Sequence, residues 1–137
     1  MKDRHLIDLD NYSLDEIDEI LELAKMIMKK PQYFTASCQG KVMATLFYEP
    51  STRTQMSFQT AMLRLGGSII GFDNPGNSSV SKGETLSDTI RVVSNYADII
   101  TIRHPLEGAA MAASQFSRVP VINAGDGSNQ HPSQTML

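Results

Sequence analysis

The chain of 137 residues contains one cysteine, Cys38, no tryptophan and three histidines. A single cysteine excludes an internal disulfide framework and is typical of a reducing compartment. No apolar run approaches the roughly 20 residues that a membrane-spanning helix requires. The formal net charge of −3 argues against general nucleic-acid binding, because such proteins carry a basic excess. We therefore expect a soluble cytoplasmic protein that binds neither a membrane nor a nucleic acid.

Several catalytic patterns are also missing. No Gly-x-x-x-x-Gly-Lys motif is present, which excludes a Walker-type phosphate loop. No Ser-His-Asp or Cys-His order stands out, and the polar clusters contain no paired carboxylates. Because the histidines show no paired spacing, a metal site at His131 is the less favoured interpretation. These absences favour electrostatic stabilisation and positioning over covalent chemistry.

Apolar runs alternate with helix-forming segments along the chain. After an N-terminal helix, the predicted strands are residues 41–47, 68–72, 98–102 and 119–123, the predicted helices are residues 56–65, 84–96 and 107–116, and another helix opens at His131. This β-α-β-α-β-α-β order predicts an α/β fold with a parallel four-stranded sheet and helices on both faces. The length suits one domain with a single core.

The N-terminal helix has an amphipathic pattern. Ser13 and Glu16 form a predicted capping box at its start, and Pro31 ends it. Apolar residues recur at helical spacing from Leu14 to Met28. We expect this stripe to pack against the domain, although a helix that binds a partner shows the same pattern.

The stretch Ser51-Thr52-Arg53-Thr54 lies where a predicted strand ends and a helix begins. Free backbone N–H groups and the positive end of the helix dipole meet at such a place. Three hydroxyls and a guanidinium add further donors, so the stretch predicts a phosphate cradle. An ordinary N-cap beside a surface arginine fits the same four residues.

Three more polar clusters follow strands. They are the long loop 73–83 with Lys82, the pair Arg103-His104, and the segment His131-Pro132-Ser133-Gln134. Ligands of open α/β sheets bind outside the carboxyl ends of the strands, so we expect the clusters to gather there. Two arginines and a lysine suit a dianion such as phosphate, while His131 and Gln134 suit a carbonyl or an amide. Taken alone, Lys82 would be interpreted as a solvated lysine and His131 as a structural or exposed histidine.

Together these segments resemble the aspartate/ornithine carbamoyltransferase family. The residues that carry the resemblance are Ser51-Thr52-Arg53-Thr54, Lys82-Gly83-Glu84-Thr85, Arg103-His104-Pro105 and His131-Pro132-Ser133-Gln134. The run from Gly125 to Gln130 resembles catalytic chains of the aspartate branch, not the ornithine branch. The resemblance covers nearly the whole chain in the correct order. It implies transfer of a carbamoyl group from carbamoyl phosphate to L-aspartate, an early step of pyrimidine biosynthesis.

The resemblance also implies a role for each site residue. In the catalytic and carbamoyl phosphate-binding site, the phosphate would be held by Ser51, Thr52, Arg53 and Thr54. Arg103 would bridge the phosphate and the carbonyl oxygen, which Thr54, Arg103 and His131 would polarise. Gln134 would contact the carbamoyl nitrogen. Lys82 and one loop serine, Ser78 by preference over Ser79 or Ser81, would enter the site of an adjacent subunit. The resemblance implies a homotrimer, leaves room for a regulatory chain, and implies neither a metal nor an organic cofactor.

Two small departures and one large one stand out against the family pattern. Gln55 stands where a basic residue is frequent, and Ser133 replaces a frequent threonine but keeps its hydroxyl. Family catalytic chains are about twice as long, with two domains. We expect residues 1–137 to form the carbamoyl phosphate-binding domain, without the half that holds most of the aspartate-binding groups. Alone it should bind anions weakly and be weakly active or inactive. The alternative is a carbamoyl phosphate- or phosphate-binding and trimerisation module without turnover.

Overall fold

The computed structural model describes residues 4–128 and 131–136. In chain order, the elements that this part contains are α1 (Leu14–Lys29), β1 (Val42–Phe47), α2 (Thr52–Arg64), β2 (Ser68–Phe72), α3 (Leu86–Val93), β3 (Ile99–His104), α4 (Ala109–Phe116), β4 (Val121–Asp126) and α5 (Pro132–Thr135). Short 3-10 turns occupy Pro31–Tyr33, Pro75–Asn77 and Ser79–Lys82. None of the helices in these residues is both long and apolar enough to cross a bilayer.

The four strands form one parallel sheet in the order β2-β1-β3-β4. Strand β1 is central and almost wholly buried, as its apolar sequence requires. Ala44 of β1 packs with Ile90 of α3 and Ala110 of α4, while the neighbouring Thr45 accepts a hydrogen bond from Gln59 of α2. Successive strand residues point to opposite faces, so helices cover both sides. The predicted fold class is confirmed.

The ends of three elements differ from the prediction, and the differences matter for the site. Helix α2 begins at Thr52, four residues earlier than predicted. Strands β3 and β4 continue to His104 and Asp126, because these two residues still pair with each other beyond the apolar runs. Arg103 is therefore held within a strand. Residues 124–126, which follow the predicted strand 119–123, belong to β4, and residues 129–130 lie outside the described residues.

Helix α1 has the predicted cap but only part of the predicted packing. The Ser13 hydroxyl accepts the Glu16 N–H at 3.3 Å, and a Glu16 carboxylate oxygen accepts the Ser13 N–H at 2.8 Å. No residue of α1 is buried, and Leu14 is 80% exposed. Ile17, Ile20, Leu21 and Ile27 of the stripe are half-buried, whereas Leu14, Ala24 and Met28 are exposed, so the expected packing is present only in part.

Candidate anion-binding site

A cleft of about 690 Å³ opens at the carboxyl end of the sheet. Residues from three of the four predicted clusters line it together with three other residues of α2: Ser51, Arg53, Thr54, Ser57, Phe58, Ala61, Arg103, His131, Ser133 and Gln134. The clusters meet because the strands that precede them are parallel and end at the same edge. The lining combines two guanidinium groups, an imidazole, hydroxyls and an amide.

The N-terminus of α2 supplies backbone donors to the cleft. The Ser51 side chain makes no capping hydrogen bond with the described residues, although Ser51 occupies the N-cap. By contrast, Thr85 at the N-cap of α3 accepts a bond from the Asp88 N–H. The first N–H groups of a helix have no intrahelical acceptor and carry partial positive charge. The uncapped first turn of α2 is therefore ready to accept an anion.

Arg103 is aimed by a bulge in the sheet. Between the pairs Ile102–Asn123 and His104–Asp126 the register shifts, so that two β4 residues lie opposite Arg103. One guanidinium nitrogen, Nη1, donates to the carbonyl oxygen of Ala124 at 3.0 Å. This backbone contact fixes the guanidinium at the edge of the cleft.

Gly125, the second bulge residue, makes room for Arg103. Its φ is +116°, and a Cβ atom at this position would lie 2.6 Å from Arg103 Nη1 and 3.5 Å from His131 Cδ2. Such a φ favours glycine, and the first distance is too short for any side chain. Gly125 thus lets the guanidinium and the imidazole approach the same backbone. The sequence alone assigns this glycine no role, because a bulge depends on how two strands align.

Glu49 is the second site residue that sequence reasoning missed. One of its carboxylate oxygens accepts hydrogen bonds from Arg103 Nε at 3.1 Å and Nη2 at 2.9 Å. No described carboxylate pairs with the other arginine of the cleft, Arg53. Glu49 lies two residues beyond the end of β1, where Phe47 pairs with Arg103 of β3, so its position at the edge of the sheet was the available signal. The cleft thus contains one free and one partly neutralised arginine.

The Glu49→Gln variant is expected to bind inorganic phosphate about fivefold more tightly. It removes a negative charge from the cleft and frees Arg103, and partly exposed ion pairs of this kind are worth up to about 1 kcal/mol. Isothermal titration calorimetry at low ionic strength measures the change, and Glu22→Gln on the exposed face of α1 is the matched control. Weaker binding by Glu49→Gln would show instead that Glu49 orients Arg103 for the anion.

His131 is one of the residues that line the cleft. Its Nε2 atom is inaccessible to solvent and has no hydrogen-bond partner among the described residues, whereas Nδ1 lies 3.2 Å from the Ser133 hydroxyl. Burial and the positive charge of Arg103 hold the pKa of His131 below its ordinary value, against an opposing effect of its own backbone carbonyl. A buried polar atom without a partner is rare in native proteins, which suggests a ligand atom as the missing partner.

The histidines predict a pH dependence of stability. Burial lowers the pKa of His5, His104 and His131 in the folded protein below the ordinary 6.5 of the unfolded chain. At a pH between the folded-state pKa and 6.5, the unfolded chain therefore binds more protons than the folded one. The contribution of the neutral histidines to the free energy of unfolding is complete above about pH 6.5, and it is lost as the pH falls through their folded-state pKa values. Urea unfolding is expected to give a smaller free energy of unfolding at pH 5.5 than at pH 7.5. An equal or larger value at pH 5.5 would contradict it.

The remaining predicted site residues lie outside this cleft. Thr52 lines an adjoining cavity of about 500 Å³. Ser78 and Lys82 line a third cavity of about 640 Å³ on the loop after β2, where the Ser78 hydroxyl donates to the Pro75 carbonyl oxygen at 2.8 Å and accepts the Val80 N–H. The chain does not bring Ser78 and Lys82 to its own arginines. Among the described residues, no group of three or more His, Cys, Asp or Glu side chains is placed to hold a metal ion.

Comparison with known proteins gives consistent matches. A family model described as the carbamoyl-P binding domain of aspartate/ornithine carbamoyltransferase matches residues 4–137. Over 136 residues the chain is 59% identical to the aspartate carbamoyltransferase catalytic subunit of Clostridium perfringens, covering 99% of this chain and 44% of that protein. The corresponding subunit of Clostridium kluyveri is 57% identical over the same length, with the same coverage.

Solved structures agree with the sequence matches. Aspartate transcarbamoylase from Trypanosoma cruzi, in complex with carbamoyl aspartate and phosphate, superposes with a TM-score of 0.91 and 37% identity, over 98% of this chain and 42% of that chain. The catalytic subunit of M. jannaschii aspartate transcarbamoylase gives a TM-score of 0.89 and 54% identity, over 97% of this chain and 44% of that chain. The chain thus spans less than half the length of these relatives.

Proposed function

The chain belongs to the aspartate/ornithine carbamoyltransferase family, and from this membership we propose that residues 1–137 are the carbamoyl phosphate-binding domain of an aspartate carbamoyltransferase. The reaction would transfer the carbamoyl group of carbamoyl phosphate to L-aspartate, giving N-carbamoyl-L-aspartate and phosphate. The aspartate branch is supported by the names of the relatives and of the T. cruzi complex.

The observation that carries the proposal is the composition of the cleft. Arg53 and the uncapped N–H groups of α2 form one group of donors, and Arg103 and His131 form a second. The first group suits the dianionic phosphate of carbamoyl phosphate, and the second suits the carbonyl oxygen beside it. A simple phosphate would leave the His131 and Gln134 side unused.

The proposed roles follow from charge development in the reaction. The amine of aspartate attacks the carbonyl carbon, the carbonyl oxygen becomes negative, the carbon–oxygen bond to phosphate breaks, and the amine loses a proton. Thr54, Arg103 and His131 would donate to the developing oxyanion, and Ser51, Thr52, Arg53 and Thr54 would hold the leaving phosphate. Gln134 would contact the carbamoyl nitrogen.

The assembly remains a prediction. Ser78 and Lys82 would serve the cleft of an adjacent subunit in a homotrimer, a proposal supported by their separation from the cleft of their own chain. A regulatory chain and a cytoplasmic location are likewise predictions. Sedimentation analysis of the purified chain tests the trimer, and a monomer at high concentration would contradict it.

Calorimetric titration with carbamoyl phosphate tests the binding proposal. We expect saturable binding that inorganic phosphate competes away. A chain that is folded by circular dichroism but binds neither ligand would contradict the proposal for this chain alone.

Substrate choice is tested with a hybrid protein. In it, this chain replaces the matching 44% of the C. perfringens relative and is joined to the rest of that relative. The hybrid is expected to carbamoylate aspartate and not ornithine. Formation of citrulline from ornithine would overturn the aspartate assignment.

A further inference from the structure

The Ser133 hydroxyl contacts one of the two ring nitrogens of His131, a residue that lines the cleft. The two residues are separated only by Pro132, the first residue of α5, and Ser133 Oγ lies 3.2 Å from His131 Nδ1. Pro132 is buried and its φ is fixed by its ring, so the geometry of this pair is restrained by the backbone. The other ring nitrogen, Nε2, is buried without a described partner.

The direction of the Ser133 hydrogen bond decides what His131 can do. A neutral imidazole carries its hydrogen on one nitrogen only, and the bond made by the other nitrogen decides which one. If the hydroxyl donates to Nδ1, the hydrogen must reside on Nε2. If the hydroxyl accepts from Nδ1, then Nε2 presents a lone pair, which repels an anionic oxygen.

We propose that Ser133 is a positioning residue whose hydroxyl donates to His131 Nδ1 and fixes the Nε2–H tautomer, so that Nε2 donates to a ligand oxygen in the cleft. No described donor reaches Nε2, so nothing in this part of the protein requires it as an acceptor. An anionic or carbonyl oxygen does require a donor there. The identity of that oxygen rests on the proposed function, but the tautomer does not.

The other histidines provide internal references for a test. The backbone N–H of Val121 donates to His5 Nδ1 at 3.0 Å, and the backbone N–H of Leu106 donates to His104 Nδ1 at 3.0 Å. A backbone N–H can only donate, so both rings are fixed as Nε2–H tautomers when they are neutral. Neither bond involves Ser133, and a change at Ser133 should leave both rings unaffected.

Long-range ¹H–¹⁵N spectra of the full chain with ¹⁵N-labelled histidine test the proposal at a pH of about 8, where imidazoles are neutral. A His131→Gln variant assigns the His131 signals. In the wild type, His131 is expected to show the Nε2–H pattern. In Ser133→Ala the hydroxyl that donates to Nδ1 is lost, so the tautomer ratio should shift toward Nδ1–H by about fivefold, the equivalent of one hydrogen bond.

The matched variant Ser133→Thr should restore the wild-type pattern, because it retains the hydroxyl. An Nδ1–H pattern in the wild type would overturn the proposal without any variant. An unchanged His131 ratio in Ser133→Ala, or equal changes at His5 and His104, would overturn it as well.

Addition of carbamoyl phosphate to the same samples separates the two proposals. Carbamoyl phosphate should bind Ser133→Ala about fivefold more weakly than the wild type or Ser133→Thr, because Nε2 would donate to its carbonyl oxygen. If carbamoyl phosphate binds none of the three proteins while the tautomer result holds, the proposed function fails and the positioning role stands. If carbamoyl phosphate binds all three equally, Nε2 does not donate to the ligand and the positioning role is contradicted.

Discussion

Replacement of Arg53 by alanine is expected to weaken carbamoyl phosphate binding by about tenfold to one hundredfold. The Arg53 guanidinium lies in the cleft and has no carboxylate partner among the described residues, so its charge is available to the ligand. A hydrogen bond between charged groups contributes about 1.5–3 kcal/mol. The change leaves no carboxylate of the described residues without an ion-pair partner, so the loss should be seen in binding more than in stability. Isothermal titration calorimetry measures it.

Arg64→Ala provides the matched control for Arg53→Ala. Arg64 is exposed in the last turn of the same helix, at the end away from the cleft. We expect this variant to bind carbamoyl phosphate as the wild type does. Equal losses in both variants would mean that general charge attraction, and not a cradle at the start of α2, draws the ligand. Undiminished binding by Arg53→Ala would contradict a role for Arg53 in binding carbamoyl phosphate.

The Gly125→Ala variant is expected to lose about 1–3 kcal/mol in free energy of unfolding and to lose detectable binding of carbamoyl phosphate. Its backbone is held at a φ of +116°, where a residue with a Cβ is strained by about that amount. The new methyl group would also lie 2.6 Å from Arg103 Nη1. The guanidinium must then move away from the Ala124 carbonyl oxygen and from its position in the cleft. Urea unfolding and calorimetry measure the two effects separately.

Gly40→Ala distinguishes backbone strain from collision at the site. Gly40 has a φ of +75°, but a Cβ atom there would meet nothing within 4 Å. This variant should therefore lose stability and keep its binding. If both variants lose binding alike, the loss follows from lower stability, and Gly125 has no special part in placing Arg103.

The order of the fold was readable because its signals are local. The capping box of α1 involves Ser13 and Glu16, three positions apart, and the strands are short apolar runs between polar loops. Parallel alternation then places the end of every strand at one edge of the sheet. This is why Arg53, Arg103 and His131, which are far apart in sequence, could be predicted to lie near one another.

Contacts set by register could not be predicted in this way. Glu49 and Arg103 are 54 positions apart, and their pairing depends on how β1 aligns with β3. The bulge at Gly125 depends likewise on the alignment of β3 with β4. Arg103, His104 and Asp126 are polar, so the apolar pattern ended β3 and β4 too early. The amphipathic pattern of α1 predicts an apolar face but not how much of that face another element covers, and the face is only half-buried.

Backbone amide chemical-shift mapping with carbamoyl phosphate is the experiment that locates the site. We expect the largest chemical-shift changes at the start of α2 (Thr52, Arg53 and Thr54), at Arg103, and at Ser133 and Gln134. All of these changes should fit the same dissociation constant as the carbamoyl phosphate concentration is raised. Largest shifts on the loop that holds Ser78 and Lys82, or small shifts spread over the whole surface, would contradict binding of carbamoyl phosphate in the cleft.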